Sequence, residues 1–252
     1  MSQKPFDRSR IRFRPVAERL SKFKIDEIAV DPDAPPPPPP SGPGGVELDR
    51  IAEEVIAARR RGAPVVICHG AHVIKNGLGP LLARLVGEGW LTHVATNGAG
   101  SIHDWEFAFL GRSTEDVRVY VQVGEFGIWE ETGGRIGLAL LAGALEGLGY
   151  GASVGRMISR ESLRVPSRDD LRARVASALE GKSAMAVAAS AADLLAALDA
   201  HGIPSGEIQI PHPWKSRSIQ CACFEAGVPF TVHPGIGQDI VYSHPLKGSR
   251  PG

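Results

Sequence analysis

The feature that most constrains the fold is a short apolar run, Val65–Cys68, which follows the helix-stopping residues Gly62 and Pro64. The run is too short for a helix, and its lack of alternation predicts a strand buried on both faces. A helix with one apolar stripe follows and ends at Gly87, and Leu91–Thr96 is predicted to form the next strand. A strand, a helix and a second strand in this order predict a parallel sheet with a right-handed crossover.

Further helices separate the strands along the rest of the chain. They are predicted around Leu48–Ala58, from Ile102 onward, over Ile128–Leu148 with an interruption at Gly133 and Gly134, after Ser167, over Ala191–Ala200 and over Ser216–Glu225. Ser101 with Asp104 fits a capping box for the helix from Ile102. A late strand, Phe230–Val232, ends in His233. This alternation predicts an open, doubly wound, mainly parallel α/β sheet of the Rossmann-like type.

Prolines divide the chain. The run Pro35–Pro40 and the Gly, Ser and Pro residues around it predict an extended spacer over residues 31–45, which holds much of the proline total of 20. A ligand for an SH3-like module is the alternative. Residues 1–30 then form an N-terminal arm that packs on the body or on a neighbouring subunit. Residues 46–252 are predicted to form the α/β domain.

Composition narrows the classes of function. The 28 Lys and Arg residues balance the 28 Asp and Glu residues, so the net charge is 28 − 28 = 0, which argues against a nucleic-acid or acidic-membrane partner. Three cysteines, Cys68, Cys221 and Cys223, match neither a disulfide framework nor a paired zinc motif. The polar N-terminal segment and the lack of a long apolar run predict no secretory signal and no membrane span. A cytoplasmic protein with a small-molecule substrate is expected.

Polar, glycine-rich segments follow the three clearest strands, at His69–Gly77, Thr96–Asp104 and His233–Asp239. Ligands of open α/β sheets bind at the carboxyl ends of the strands, so we expect these segments to share one site. Their glycines let backbone amides approach an anion, and the N-terminus of the helix after Ser101 supplies a positive dipole end. The pattern therefore favours a phosphate or carboxylate ligand.

His103 and Glu106, three residues apart, share one face of the predicted helix. An imidazole titrates near neutral pH, so we expect His103 to be the catalytic acid or base, with Asp104 or Glu106 as the catalytic carboxylate that orients it. The alternative is that His103 and Asp104 only cap the helix, and that Glu106 faces water. Lys75 either contacts a phosphate of the substrate or lies on the surface.

Four histidines, His69, His72, His103 and His233, are predicted near neighbouring strand ends. Converging histidines can bind zinc or iron, which keeps a metal site open as an alternative. Their spacing matches no established metal motif, so no metal is predicted.

The segments His69–Pro80, Thr96–Glu106 and Pro229–Ile240 together resemble the deoxyhypusine-synthase-like proteins of bacteria and archaea, and are similar to the uncharacterised branch of that group. The resemblance covers most of the chain from Val46 to Pro245. The sequence around Gly100 resembles the glycine-rich dinucleotide-binding segment of the true synthases. The H-D-x-E element at 103–106 is similar to one in ornithine-cyclizing enzymes of the same fold family.

The resemblance implies a Rossmann-like domain that binds NAD, in a homo-oligomer, typically a tetramer, with active sites between subunits. It implies cofactor contacts from Asn76, Gly77, Thr96, Asn97, Gly98, Ala99, Gly100, Gly235, Gly237 and Asp239. We also expect His72 to contact the cofactor and Lys75 and His233 to contact the substrate. The synthases carry their intermediate on a lysine in a W-G-K context. Here Lys247 lacks that tryptophan, so authentic deoxyhypusine synthesis is not expected.

The leading hypothesis is an NAD-dependent enzyme that activates a small polar metabolite by transient dehydrogenation, followed by transfer, elimination or cyclization. Two alternatives remain open. One is a metal-assisted or cofactor-free lyase or isomerase that uses the four histidines. The other is a non-catalytic ligand sensor.

Overall fold

The computed structural model describes residues 7, 10–235 and 238–246. The strands in these residues are β1 (Ser21–Lys24), β2 (Val66–His69), β3 (His93–Asn97), β4 (Arg112–Glu115), β5 (Ser162–Val165), β6 (Gly206–Gln209) and β7 (Phe230–His233). The helices are α1 (Ile25–Ile28), α2 (Pro43–Arg60), α3 (Ala71–Lys75), α4 (Gly79–Gly87), α5 (Gly98–Leu110), α6 (Val117–Gln122), α7 (Glu130–Leu145), α8 (Tyr150–Arg160), α9 (Arg168–Leu179), α10 (Met185–His201) and α11 (Ile219–Glu225).

Three strands form a parallel sheet in the order β2-β3-β7. The edge strand β2 is not buried on both faces as predicted, since Val66 is 54% exposed. His69 pairs with Thr96, and Asn97 pairs with His233, so the three strands end at one edge. These are the three strands that the sequence predicts, and the α/β fold with a parallel, Rossmann-like sheet is confirmed. The remaining described strands form two antiparallel pairs, β1-β4 and β5-β6, which the sequence pattern does not predict.

Helix α5 joins two hydrophobic cores. Its Phe107 lies in the core beside the parallel sheet, whose other buried members are Ile25, Ile74, Leu82, Val86, Leu91, Val94, Ile219, Cys223 and Phe230. Its Ile102 and Trp105 lie in the second core, which α7, α8, α9 and α10 build together with β5. Trp105 stacks on Phe109 at 4.8 Å between ring centroids, as the predicted apolar stripe of this helix requires. Because α5 packs on both sides, it is held rigidly at the edge of the sheet.

Several predicted helix boundaries are wrong. Helix α5 begins at Gly98 and not at Ile102, because the side chain of Asn97 accepts a hydrogen bond from the Gly100 amide and caps the helix there. Ser101 is therefore inside the helix, and its hydroxyl donates to Gln220 Oε1 at 2.7 Å. Helix α7 is continuous through Gly133 and Gly134. Gly133 serves packing there, because the His244 side chain lies where a Cβ atom at this position would be.

The start of α2 differs from the prediction, and the start of α9 agrees with it. Helix α2 starts at Pro43, inside the predicted spacer, because proline is well suited to the first turn of a helix. The predicted cap of α9 is confirmed by a hydrogen bond of 3.1 Å from the Asp170 amide to Ser167 Oγ.

The N-terminal arm packs on the body of its own chain. Strand β1 pairs with β4, with Ser21 opposite Glu115, and Val16 and Ile25 are at most 2% exposed. The carbonyl of Gly77 accepts a hydrogen bond from the Val30 amide at the end of the arm. The arm is thereby fixed to α3 and α5 through these contacts and through the side chain of Arg19.

In the described part of the chain, no single helix is long and apolar enough to cross a membrane. Helices α7 and α8 meet that criterion only as a pair, and they meet at an angle of 110°.

Candidate active site

An open depression of about 400 Å³ lies where the three parallel strands end. Its walls come from β2, β3 and β7 and from the first loop residue after β2: Cys68, His69, Gly70, Ala95, Thr96, Asn97 and His233. Thr96, Asn97 and His233, which the sequence places in the site, thus lie together. A volume of this order is in the range of small-molecule sites.

The polar groups of this depression are fixed by neighbours. The Thr96 hydroxyl donates to the His69 carbonyl at 2.9 Å, and Asn97 caps α5. The imidazole of His233 contacts Thr231 Oγ1 at 3.0 Å and is exposed at the rim. The strand ends are therefore preorganised and do not depend on a ligand for their shape.

Asp239 lies against the start of α5. A Cβ atom at Gly98 would be 2.6 Å from Asp239 Oδ2, so only glycine lets the carboxylate approach this closely. The carboxylate is held there by the Gly235 amide, which donates to Oδ2 at 2.7 Å. Gly98, Gly235 and Asp239 thus meet at one point, as the sequence predicts. Gly237 is outside the described residues.

Four other predicted cofactor contacts are placed differently. Gly77 has φ +80° and faces the arm, because a Cβ atom there would be 1.9 Å from the Ile28 carbonyl oxygen. Gly100 packs on Thr96, whose hydroxyl would be 2.1 Å from an added Cβ atom. Both glycines serve packing within the protein, and their contact with a cofactor stays a prediction. Asn76 is exposed after α3, and Ala99 is half-buried in the first turn of α5.

A hydrogen-bond relay begins at His103 on α5. His103 Nδ1 is 2.7 Å from Ser113 Oγ, and the Ser113 hydroxyl donates to Glu106 Oε2 at 2.5 Å. Because an ionised carboxylate only accepts hydrogen bonds, the Ser113 proton points to Glu106, and its oxygen accepts from a protonated His103 Nδ1. His103 Nε2 then carries the lone pair of the neutral imidazole, and it has no partner among the described residues.

Glu106 is 1% exposed and accepts four hydrogen bonds. Arg19 donates two of them at 2.7 Å, and Thr132 Oγ1 donates another at 2.9 Å, beside the one from Ser113. Burial by itself raises the pKa of Glu106, but the Arg19 guanidinium and the hydrogen bonds lower the pKa overall. Glu106 is therefore an ionised positioning residue that does not face water.

Burial lowers the pKa of His103 to about 4, and the nearby charges of Lys75, Arg19 and His72 lower it further, against the opposing effect of Glu106. Lys75 is half-buried on α3 and has no ion-pair partner in the described part of the chain. His72 is exposed on the same short helix. The structure thus brings His72, Lys75 and His103 together, with a neutral imidazole beside an uncompensated cation.

Asp104 does not belong to this cluster. It is 2% exposed and caps α11: the Ser218 hydroxyl donates at 2.6 Å, the Ile219 amide at 3.0 Å and the Gln220 amide at 3.1 Å. Burial raises the pKa of Asp104, while these donors oppose the rise. Asp104 therefore points toward α11 and away from His103, since adjacent residues of a helix point about 100° apart. The structure does not bring it together with the other two predicted catalytic residues.

The four histidines do not converge. His69 Nδ1 contacts its neighbouring carbonyl, His103 contacts Ser113, and His233 contacts Thr231. Within the described ranges, no group of three or more His, Cys, Asp or Glu residues is arranged to hold a metal ion.

The sequence does not indicate Arg19, Ser113 or Thr132. Arg19 lies in the arm, Ser113 in the antiparallel strand β4 and Thr132 in α7, so no shared motif connects them to α5. In the structure, the backbone beside Ser113 is unusual: the next residue, Thr114, has φ +70°, a conformation that a β-branched residue rarely adopts. Such strain is concentrated at functional sites.

No known protein family matches the sequence, and no curated protein matches it. Among solved structures, the chain is similar to a crystal structure of a conserved protein from Methanococcus maripaludis S2 that its description labels LOR/SDH. The identity is 16%, the TM-score is 0.34, and the match covers 79% of this chain. The chain spans 42% of that structure's length. What the site does must therefore follow from its own residues.

Proposed function

We propose that the protein is a cytoplasmic NAD-dependent enzyme that removes a proton from a small polar metabolite at His103 while the substrate is transiently dehydrogenated. The observation that carries the proposal is the relay from His103 through Ser113 to Glu106, which leaves Nε2 as a proton acceptor. The resemblance to deoxyhypusine-synthase-like proteins supports the cofactor. Three free cysteines suit a reducing compartment.

His103 acts in the neutral form at pH 7, since its pKa is about 4. Nε2 accepts the proton that a substrate hydroxyl or amino group loses when the adjacent carbon is oxidised. The imidazolium that forms is stabilised by the ionised Glu106 through the Ser113 hydroxyl. Lys75 binds an anionic group of the substrate, because it is a half-buried cation beside the base without an ion-pair partner in the described residues.

One group beside the strand-end depression suits a dinucleotide. Gly98 has no side chain, and the Asp239 carboxylate occupies the space that this leaves at the start of α5. Asp239, held by the Gly235 amide, offers a carboxylate of the kind that accepts hydrogen bonds from ribose hydroxyl groups. When bound, NAD supplies a hydride acceptor. His103 lies five residues into α5, about 7.5 Å along the helix axis from Gly98.

The test is titration calorimetry of the full chain with NAD⁺, followed by NADH absorbance with a panel of amino acids, polyamines and phosphosugars. Binding at micromolar to low millimolar NAD⁺ is expected, and absence of binding at millimolar NAD⁺ would overturn the cofactor assignment. Asp239→Ala should weaken NAD⁺ binding. Asp169→Ala, an exposed carboxylate on α9, is the matched control and should bind NAD⁺ as the natural protein does.

Turnover then tests the base. With a substrate from the panel, His103→Gln should lose most of kcat while retaining NAD⁺ binding, because glutamine keeps polarity and cannot accept the proton. Full turnover in His103→Gln would show that another group is the base. If NAD⁺ binds and no compound is turned over by the natural protein, the ligand-sensor alternative gains support.

A further inference from the structure

The N-terminal arm contributes one side chain to the interior of the site. Arg19 is 3% exposed, although it lies before the proline-rich spacer and far in sequence from the helix that it contacts. Both of its terminal nitrogens are 2.7 Å from the Glu106 carboxylate. Such a bidentate pair fixes the orientation of the carboxylate as well as its charge. Arg19 thus determines the state of the group at the end of the relay.

We infer that Arg19 is a positioning residue of the arm that fixes which ring nitrogen of His103 carries the proton. This inference rests on the proposed function of His103 as the base. The direction of each hydrogen bond in the relay depends on Glu106 being ionised, since an ionised carboxylate can only accept from Ser113, whereas a protonated one can donate to it. The Ser113 oxygen is then the acceptor for His103 Nδ1–H.

Loss of the Arg19 charge reverses the relay. Glu106, left buried without a cation, takes up one proton from solvent, because an unpaired carboxylate in the interior is strongly disfavoured. The carboxylic acid then donates to Ser113 Oγ, and the Ser113 hydroxyl donates to His103 Nδ1. The single proton of the neutral imidazole moves to Nε2. The site would then present a hydrogen-bond donor in place of the proton acceptor that the chemistry requires.

The arm offers a matched control. Arg14 also forms ion pairs, with Glu18 and Glu125, but its side chain is 41% exposed and does not contact Glu106. Arg14→Gln therefore removes one positive charge from the same arm without altering the relay. Arg19→Lys keeps a cation beside Glu106 and should preserve the ionised carboxylate.

The experiment is long-range ¹H–¹⁵N correlation NMR of the imidazole nitrogens in the ¹⁵N-labelled full chain at pH 7. His103 should show a protonated Nδ1 and an unprotonated Nε2 in the natural protein, in Arg14→Gln and in Arg19→Lys. In Arg19→Gln, His103 should instead show an unprotonated Nδ1 and a protonated Nε2. A natural protein with the proton on Nε2, or a folded Arg19→Gln variant with unchanged signatures, would overturn the inference.

Arg19→Gln can fail to fold, and Ser113→Ala then decides the question because it leaves both buried charges paired. It breaks the relay, so His103 should lose its preference for the Nδ1–H form; an unchanged preference would rule out control through Ser113. This readout is independent of NAD⁺ binding and of turnover. The proposed function can therefore fail while the tautomer responds as expected, and the reverse outcome is equally distinguishable.

Discussion

The guanidinium of Arg19 and the carboxylate of Glu106 face each other across 87 positions of sequence, with two nitrogen–oxygen distances of 2.7 Å. Neither side chain is more than 2% exposed. Because water cannot compensate either charge at this depth, each residue requires the other. The arm and the body of the protein are joined at this point by charge as well as by the pairing of strands.

Glu106→Gln should lower the free energy of unfolding by about 3–5 kcal/mol, because it leaves the Arg19 guanidinium buried without its counter-charge. Urea denaturation followed by circular dichroism measures the change. Glu18→Gln is the control, since it removes an exposed partner of Arg14 and should leave the midpoint unchanged. Equal effects of the two substitutions would contradict a dominant role for the buried pair.

His103 should titrate with a midpoint near pH 4, well below the usual pKa of 6.5, and the ring-proton shifts in an NMR titration report this midpoint. The groups that set this pKa besides burial are Glu106, Lys75, Arg19 and His72. Since the folded-state pKa is below the unfolded one, the unfolded state binds more protons between these values. His103 therefore makes stability fall as the pH is lowered from about 6.5 to 4, and His103→Gln should reduce that slope. A midpoint near 6.5 would refute the assignment.

His212→Leu should stabilise the protein. His212 is fully buried beside Trp105 and Phe109. Neither of its ring nitrogens has a hydrogen-bond partner within the described residues. The nearby Ile210 backbone favours the charged form of the imidazole, but this effect is smaller than that of burial. Burial lowers the pKa of His212 to about 4. Leucine removes unsatisfied polar atoms, a gain of about 1–3 kcal/mol at pH 7.

The gain from His212→Leu should be larger at pH 5 than at pH 7, because protonation of the unfolded histidine no longer favours unfolding. Thermal unfolding at the two pH values provides the comparison. Destabilisation at pH 7 would instead indicate that the ring nitrogens bind an interior water molecule.

Gly98→Ala should weaken NAD⁺ binding and shift the loop that carries Asp239, because the added methyl group would be 2.6 Å from the carboxylate. Gly87→Ala in α4 is the matched control, since nothing lies within 4 Å of its added Cβ atom. That substitution should leave NAD⁺ affinity unchanged and add up to about 1 kcal/mol of stability through helix propensity. Titration calorimetry measures the NAD⁺ affinity of both variants. Equal affinities would show that Gly98 is not part of the cofactor site.

The parallel sheet could be predicted because its strands leave apolar runs bounded by glycine and proline, as at Val65–Cys68. The predicted burial of this run on both faces is wrong, since Val66 is 54% exposed and Cys68 is exposed. The antiparallel strand β4 could not be predicted, since Arg112–Glu115 contains no apolar residue and forms through its pairing with the arm. Its backbone partner, β1, lies on the other side of the proline-rich spacer. Strands of this kind are set by tertiary contacts and not by local pattern.

The site, like the sheet, could be predicted only where a local pattern in the sequence indicates it. Helical spacing correctly placed His103 and Glu106 on one face of α5. Spacing does not show what faces that side, so the link through Ser113 and the charge of Arg19 had no local signal. Asp104 has the right residue type at the right strand end, but its position on the helix turns it toward α11.

The pairing of Ser21 with Glu115 also has a consequence for the order of folding. Closing so long a segment costs chain entropy before any contact repays it, whereas a short crossover joins β2 to β3, where His69 pairs with Thr96. We expect β2, β3 and α5 to form first, with Glu106 protonated, and β7 and the arm to dock later. The arm is synthesised before the body, yet the residue that completes the relay is among the last to reach its place.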